Sequence, residues 1–191
     1  MSTEYLPYLF FVIALFYSSV GFGGGSSYLA IMSLFLTDFY EIRSTALVLN
    51  ICVVSIGTII FIRNRVFNLK LFWPFLISSI PMAYIGAQLK LSQTVFFMIL
   101  GTALILSGAF MMTRYIQSRL ESREFGLPKK LGLGGSVGLL AGISGIGGGI
   151  FLSPALNLVN WSNPRTVASL ASVFILVNSL AGLVGLTVAG T

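Results

Sequence analysis

The residues best suited to form a binding site are glycines that interrupt apolar sequence at two places. The first run is GFGGG at 21–25, followed by Ser26 and Ser27, and the second is GIGGG at 145–149, with Ser153 close behind. Glycine costs roughly 1 kcal/mol per residue in a helix interior relative to alanine, so three in succession predict a break. In lipid, a break is tolerated only where protein or a water-filled cavity surrounds it. The two runs are therefore the first candidates for a site.

A helix that begins after such a break presents unpaired N–H groups and the positive end of its dipole, and both attract anions. Glycine also lets a ligand approach the backbone closely, and nearby hydroxyls can orient it. Close packing of helices through small residues is the alternative interpretation. The residues expected to bind substrate in this way are Gly23, Gly24, Gly25, Ser26, Ser27, Gly147, Gly148, Gly149 and Ser153.

Four polar residues in apolar surroundings extend the candidate site. Arg43 and Arg165 lie 122 residues apart, each at the start of the apolar segment that follows one broken element, and could hold an anion at a vestibule. Snorkelling toward lipid headgroups is the alternative for both arginines. Asn50 and Asn178 lie inside later apolar segments, where they either face a cavity or form interhelical hydrogen bonds.

The composition places the chain in a lipid bilayer. Of 191 residues, 56% are hydrophobic and 8% are charged, whereas soluble domains carry about 25% charged residues. The net charge of +6 comes from basic residues in short loops, which encode membrane orientation and do not indicate nucleic-acid binding. The sequence has no histidine, a single cysteine, no nucleophile with its base and no phosphate-binding loop. We therefore expect no enzymatic activity, metal or cofactor.

Apolar segments of helical length predict an all-α, polytopic transmembrane bundle. The segments that flank the glycine runs are each shorter than a full span, which favours re-entrant hairpins over single long, broken spans. The two most basic loops, 63–70 and 114–130, are separated by two spans, and both are predicted to be cytoplasmic. The predicted full spans cover residues 44–62, 71–88, 93–113 and 166–188, and the arms of the broken elements cover 5–20, 26–36, 131–143 and 149–159.

The order of elements repeats along the chain. Gly23 and Gly147 lie 124 residues apart, and each half reads apolar helix, glycine break, short helix, polar turn and apolar helix. We divide the chain into a first membrane repeat (1–113), a cytoplasmic basic loop (114–130) and a second membrane repeat (131–191). Re-entrant arms would make the repeats inverted, whereas long broken spans would make them parallel. The second repeat lacks two spans of the first, which is expected of a short protein, a truncated one or one completed by a partner chain.

The motifs resemble those of the sulfite exporter TauE/SafE family of membrane permeases. The resemblance is carried by VGFGGG at 20–25, GISGIGGGIFLSPAL at 142–156, RSTA at 43–46 and PRTVA at 164–168. The first motif lacks the proline that usually follows the glycines, and family members are usually longer. The resemblance covers nearly the whole chain.

The resemblance implies a secondary transporter of the bacterial or archaeal cytoplasmic membrane. Its substrate would be a small sulfur-containing anion such as sulfite or an organosulfonate, whereas the residues alone indicate only a small anion. The alternatives are a non-transporting membrane subunit and a passive anion channel that needs a partner chain. The expected partners are the anion, the lipid bilayer and either further copies of the chain or another membrane chain, without nucleic acid.

Overall fold

The computed structural model describes residues 3–89, 92–116 and 125–190, and within these ranges the chain is helical and has no strand. Most of the predicted basic loop lies outside the described residues. After a short 3-10 turn the helices are α1 (Leu6–Ser19), α2 (Gly25–Met32), α3 (Phe39–Arg63), α4 (Leu69–Gln88), α5 (Gln93–Ile116), α6 (Leu127–Ser144), α7 (Gly149–Leu158) and α8 (Pro164–Val188).

Three of these helices are long and apolar enough to cross a membrane. They are α3, α4 and α8, and the mean hydropathy of their most apolar windows is 2.4, 1.3 and 2.1. They contain three of the predicted spans, and α5 contains the fourth. The prediction of an all-α, multi-pass membrane protein is therefore confirmed.

The helices that follow the two polar turns begin with the same kind of cap. The Asp38 carboxylate accepts a hydrogen bond from the N–H of Tyr40 at 2.9 Å, and the Asn163 amide oxygen accepts one from Thr166 at 2.8 Å. Such side chains satisfy the first N–H groups of a helix and stabilise it by roughly 1 kcal/mol. Asp38 and Asn163 therefore fix equivalent starting points for α3 and α8.

The two capped helices pack against each other in opposite directions. Thr58 and Ser172 share a hydrogen bond of 3.1 Å between their hydroxyls, toward the end of α3 and the start of α8. A Cβ on Gly182, in the second half of α8, would lie 3.7 Å from Leu47 in the first half of α3. The end of α3 therefore contacts the start of α8, and the start of α3 contacts the end of α8. These equivalent helices are antiparallel.

A stripe of glycines packs α6 directly onto α4. At each of these glycines, a Cβ would overlap backbone atoms of α4, which only small residues at a membrane helix interface permit. Glycines later in α6 contact residues later in α4, so the two helices are parallel. Beside this contact, the rings of Phe75 and Trp161 meet edge to face at 5.3 Å in the apolar core. The glycines of the stripe are Gly134, Gly138 and Gly142.

The two arms at each glycine run fold back on one another. In the first hairpin (α1 and α2), the Tyr17 and Ser27 hydroxyls are hydrogen-bonded at 2.9 Å, and the rings of Phe10 and Tyr28 lie 5.3 Å apart. In the second hairpin (α6 and α7), a Cβ on Gly148 would lie 2.7 Å from that of Ala141. A single long helix would separate these residues by about 1.5 Å for each position along the chain. The arms therefore form hairpins.

Candidate anion site between two glycine hairpins

Each hairpin turns at a glycine whose backbone an ordinary residue adopts with difficulty. Gly24 is the N-cap of α2 with φ of 86°, and Gly148 is the N-cap of α7 with φ of 82°. This left-handed conformation carries a steric penalty for residues with a Cβ, which glycine avoids. The sharp turns are therefore direct consequences of the two glycine runs.

Both short helices start with N–H groups that have no hydrogen-bond partner within the described residues. In α2 these are the N–H groups of Gly25 and Ser26, and in α7 those of Gly149 and Ile150, while the following residues bond back to the N-cap carbonyls. No side chain caps either helix. Each start thus presents two free donors at the positive end of a helix dipole, which is the arrangement that binds anions.

A small cavity of about 10 Å³ lies between the tips of the two hairpins. Such a volume holds about one water molecule, so the cavity is too small for an oxyanion in this conformation. The first hairpin contributes polar groups to the cavity, whereas the second contributes isoleucine side chains. The lining residues are Tyr17, Phe22, Gly23, Gly24, Gly25, Ser26, Ile146, Ile150 and Ile175.

Asn50, in the middle of α3, lies directly over the first glycine run. A Cβ on Gly23 or on Gly25 would overlap the Asn50 amide, so these two glycines make room for that side chain. Asn50 is 0% exposed, and neither of its amide atoms has a hydrogen-bond partner within the described residues. Burying an unsatisfied polar group costs roughly 1–3 kcal/mol. The unpaired amide beside α2 is therefore a candidate for contact with a polar ligand.

The second glycine run packs against α8 instead of opening toward the cavity. A Cβ on Gly147 would lie 2.6 Å from Ile175 and 2.7 Å from the Ser179 hydroxyl. Ser179 and its neighbour Asn178 are buried, and their polar atoms have no partner within the described residues. Ser179 was not predicted from the sequence, although its position next to Asn178 in an apolar helix is a detectable signal.

Asn178 and Asn50 lie at the same level of the membrane core. The contacts of Leu47 with Gly182 and of Thr58 with Ser172 bracket the two asparagines along the antiparallel pair α3 and α8. Ser179 shares that level. The structure therefore brings both predicted asparagines into the layer that contains the tips of the hairpins.

A second, much larger cavity of about 630 Å³ opens beside the start of α8. Arg165 stands exposed at this wide cavity, and Ser153 and Asn157 line it from successive turns of α7. The hydroxyl of Ser153, which is 3% exposed, and the amide oxygen of Asn157 have no hydrogen-bond partner within the described residues. Asn157 was not predicted, although its spacing of four residues from Ser153 places both on one helix face.

The ring of Phe22 lines both cavities. It belongs to the first hairpin, between the left-handed Gly21 and the glycines that cap α2. The remaining apolar wall of the wide cavity comes from both halves of the chain, including Phe61 at the end of α3 and Val167 near the start of α8. Phe22 is therefore a residue that the two cavities share.

The structure does not bring Arg43 into either cavity. Arg43 is the fifth residue after the cap Asp38, whereas Arg165 is the second after the cap Asn163, so Arg43 lies almost one turn further into its helix. It is buried, and its guanidinium bonds to backbone carbonyls. Ser27 does not line either cavity, and its hydroxyl is hydrogen-bonded to that of Tyr17.

Comparison with known proteins gives two matches and one negative result. The family described as sulfite exporter TauE/SafE matches residues 7–191. A protein of Sinorhizobium fredii (strain NBRC 101917 / NGR234), named probable membrane transporter protein y4hK, is 35% identical, over 94% of this chain and 74% of its own length. No solved structure matches. The family match spans both hairpins and all three long apolar helices, and the chain belongs to the sulfite exporter TauE/SafE family.

Proposed function

We propose that this membrane transporter moves a small sulfur-containing anion, such as sulfite or an organosulfonate, by alternating access around the two hairpins. The observation that carries the proposal is the uncapped start of α2 beside the central cavity, with Ile150 at the equally uncapped start of α7 lining the same cavity. Helix starts bind anionic groups without a fixed counter-charge. The family match and the transporter name of the S. fredii protein support the same class.

The antiparallel packing of α3 and α8 supports an inverted repeat. These helices occupy corresponding positions in the two halves, yet they run in opposite directions. Transporters built from inverted repeats bind substrate near the midplane and expose it to each side in turn. The contacts at the hairpins follow the same relation, because Gly21 packs against Ala168 in α8 while Gly145 packs against Arg43 in α3.

The loop charges orient this arrangement. Arg63 ends α3, Arg65 lies in the following loop and Lys70 lies at the start of α4, so the positive-inside rule places the end of α3 in the cytoplasm. Because α8 is antiparallel to α3, Arg165 at the start of α8 also faces the cytoplasm. In this account the wide cavity opens inward, and the end of the pathway beside Arg43 faces outward.

The anion would pass through the inward cavity in two steps. Arg165 attracts it electrostatically, and the polar groups of Ser153 and Asn157 replace part of its hydration shell. When Phe22 moves aside, the anion reaches the N–H groups at the start of α2 and the amide of Asn50. Saturation of uptake and counterflow would distinguish this carrier from a passive channel.

A membrane subunit that depends on a partner is the second candidate, and α1 is the feature that favours it. No residue of α1 is buried, and Tyr8 and Phe16 are each 73% exposed. Lipid or another chain would cover this apolar face. Reconstitution of the purified chain alone in liposomes separates the two candidates, because a dependent subunit would show no uptake until its partner is added.

The proposed function is tested with matched glycine variants. Gly24→Leu or Gly148→Leu forces a side chain into a left-handed turn and should abolish uptake of labelled sulfite or sulfonate into liposomes. Gly101→Leu makes the same change where a Cβ meets nothing within 4 Å, and it should transport normally. Folding is checked by gel filtration and helix content. Normal uptake by both hairpin variants would refute the proposal.

A further inference from the structure

Arg43 is a buried cation without an acidic partner in the described part of the chain. It is 6% exposed, and one terminal nitrogen (Nη2) donates to the carbonyls of Gly142 at 2.9 Å and Ala87 at 3.5 Å. Its Nε has no hydrogen-bond partner within the described residues. Since unpaired buried charges are strongly disfavoured, this arrangement requires a specific explanation.

The surroundings of Arg43 stabilise the charge without a carboxylate. Its guanidinium carbon lies 5.5 Å from the ring centre of Phe39 and 5.8 Å from that of Phe96, within range for cation–π attraction. Ala87 and Gly142 belong to the last turns of α4 and α6, where helix dipoles place partial negative charge. The guanidinium therefore binds two helix ends at once.

These contacts connect the first half of the chain to the tip of the second hairpin. Arg43 lies in α3, Ala87 in α4 and Gly142 two residues before the end of α6. A Cβ on Gly145, at the tip itself, would lie 3.6 Å from the Arg43 side chain. At the opposite end of the pathway, Arg165 is exposed beside the wide cavity. Arg43 thus holds the helices together at one end of the pathway, whereas the end beside Arg165 is open to the wide cavity.

We propose that Arg43 is the latch that closes the pathway at the end remote from Arg165, an inference that rests on the proposed transport function. When the second hairpin moves away together with α4, on which α6 is tightly packed, the guanidinium loses the carbonyls of both helices. A passing anion supplies the acceptors that Nη2 and Nε then lack, so Arg43 exchanges backbone carbonyls for substrate. The side chain is a latch in the closed state and an anion ligand in the open one.

The test measures exposure of the hairpin tip through a single reporter cysteine. Ser144, the last residue of α6, is buried, so Ser144→Cys in a Cys52→Ala background should react slowly with a charged, membrane-impermeant maleimide. Adding Arg43→Gln should raise the labelling rate roughly ten- to hundredfold, because hydrogen bonds to a charged donor are lost. Arg43→Lys should give a smaller rise, and Arg165→Gln, the matched control, should give none.

A second measurement needs no change at Arg43. Ethanesulfonate, which does not react with maleimides, should accelerate labelling of the reporter in the protein that keeps Arg43, whereas chloride at equal ionic strength should not. Equal labelling rates for Gln, Lys and Arg at position 43 would overturn the latch. If the Gln variant does not fold, an unchanged rate in the Lys variant together with no acceleration by ethanesulfonate overturns it. Labelling without anion requires no transport, so absence of uptake in every variant would refute only the proposed function.

Discussion

Replacing Asn50 by alanine tests whether the unpaired amide over the first glycine run binds the anion. The amide is fully buried, it occupies the space above Gly23 and Gly25, and neither polar atom has a partner within the described residues. Asn50→Ala removes a donor next to the free N–H groups of α2. A hydrogen bond to a charged group contributes roughly 1.5–3 kcal/mol, so the dissociation constant of the anion should rise roughly 10- to 150-fold.

The same substitution should change stability little, because two effects oppose each other. Alanine leaves a small cavity, which costs stability, but it also removes an unsatisfied buried group worth roughly 1–3 kcal/mol. Calorimetric titration of purified protein with sulfite and ethanesulfonate measures affinity, and thermal unfolding without anion measures stability. Ser55→Ala is the matched control on α3, since that hydroxyl donates only to the carbonyl of Ile51, at 2.6 Å.

Two results would refute this reasoning about Asn50. One is an anion affinity within twofold of the unsubstituted protein. The other is loss of binding together with a large fall in the midpoint of thermal unfolding, which would make the amide structural. Asn50→Asp gives an independent check, because it preserves the shape of the side chain but places a negative charge at the site. It should abolish anion binding at neutral pH.

Two further predictions concern the helix interface and the wide cavity. Gly142→Ala places a methyl group against the carbonyl of Ala83, and overpacking of this kind costs about 1–3 kcal/mol. It should lower the unfolding midpoint, whereas Gly132→Ala, where a Cβ meets nothing within 4 Å, should not; equal midpoints would contradict the close contact of α4 and α6. Arg165→Gln should raise KM for anion uptake roughly tenfold, leave kcat little changed and weaken the dependence of uptake on ionic strength. An unchanged KM and salt dependence would exclude electrostatic capture by Arg165.

Much of the architecture follows from local features of the sequence. The glycine runs predict sharp turns because only glycine adopts the left-handed backbone seen at Gly24 and Gly148 without a steric penalty. The apolar segments predict α3, α4 and α8 because each has the length that a bilayer requires. The inverted relation of the halves stays a prediction, and the antiparallel pair α3 and α8 now supports it.

Other features depend on contacts between distant segments and could not be read from spacing. The burial of Arg43 requires the ends of α4 and α6 to converge on it, and no local signal near position 43 encodes that convergence. Arg43 and Arg165 also do not occupy equivalent positions, because they lie 122 residues apart, whereas the caps that align α3 with α8, Asp38 and Asn163, lie 125 apart. Asn157 becomes a candidate only once α7 is seen to line the wide cavity.

The central claim is that the two hairpins form one shared anion site, and the stoichiometry of binding tests it most directly. Titration calorimetry of the unsubstituted chain with its best-bound sulfur anion should give one anion per chain. Gly24→Leu and Gly148→Leu, on opposite hairpins, should each remove that single binding event. Two anions per chain, or full affinity retained in either variant, would show that the hairpins act separately and would contradict the account.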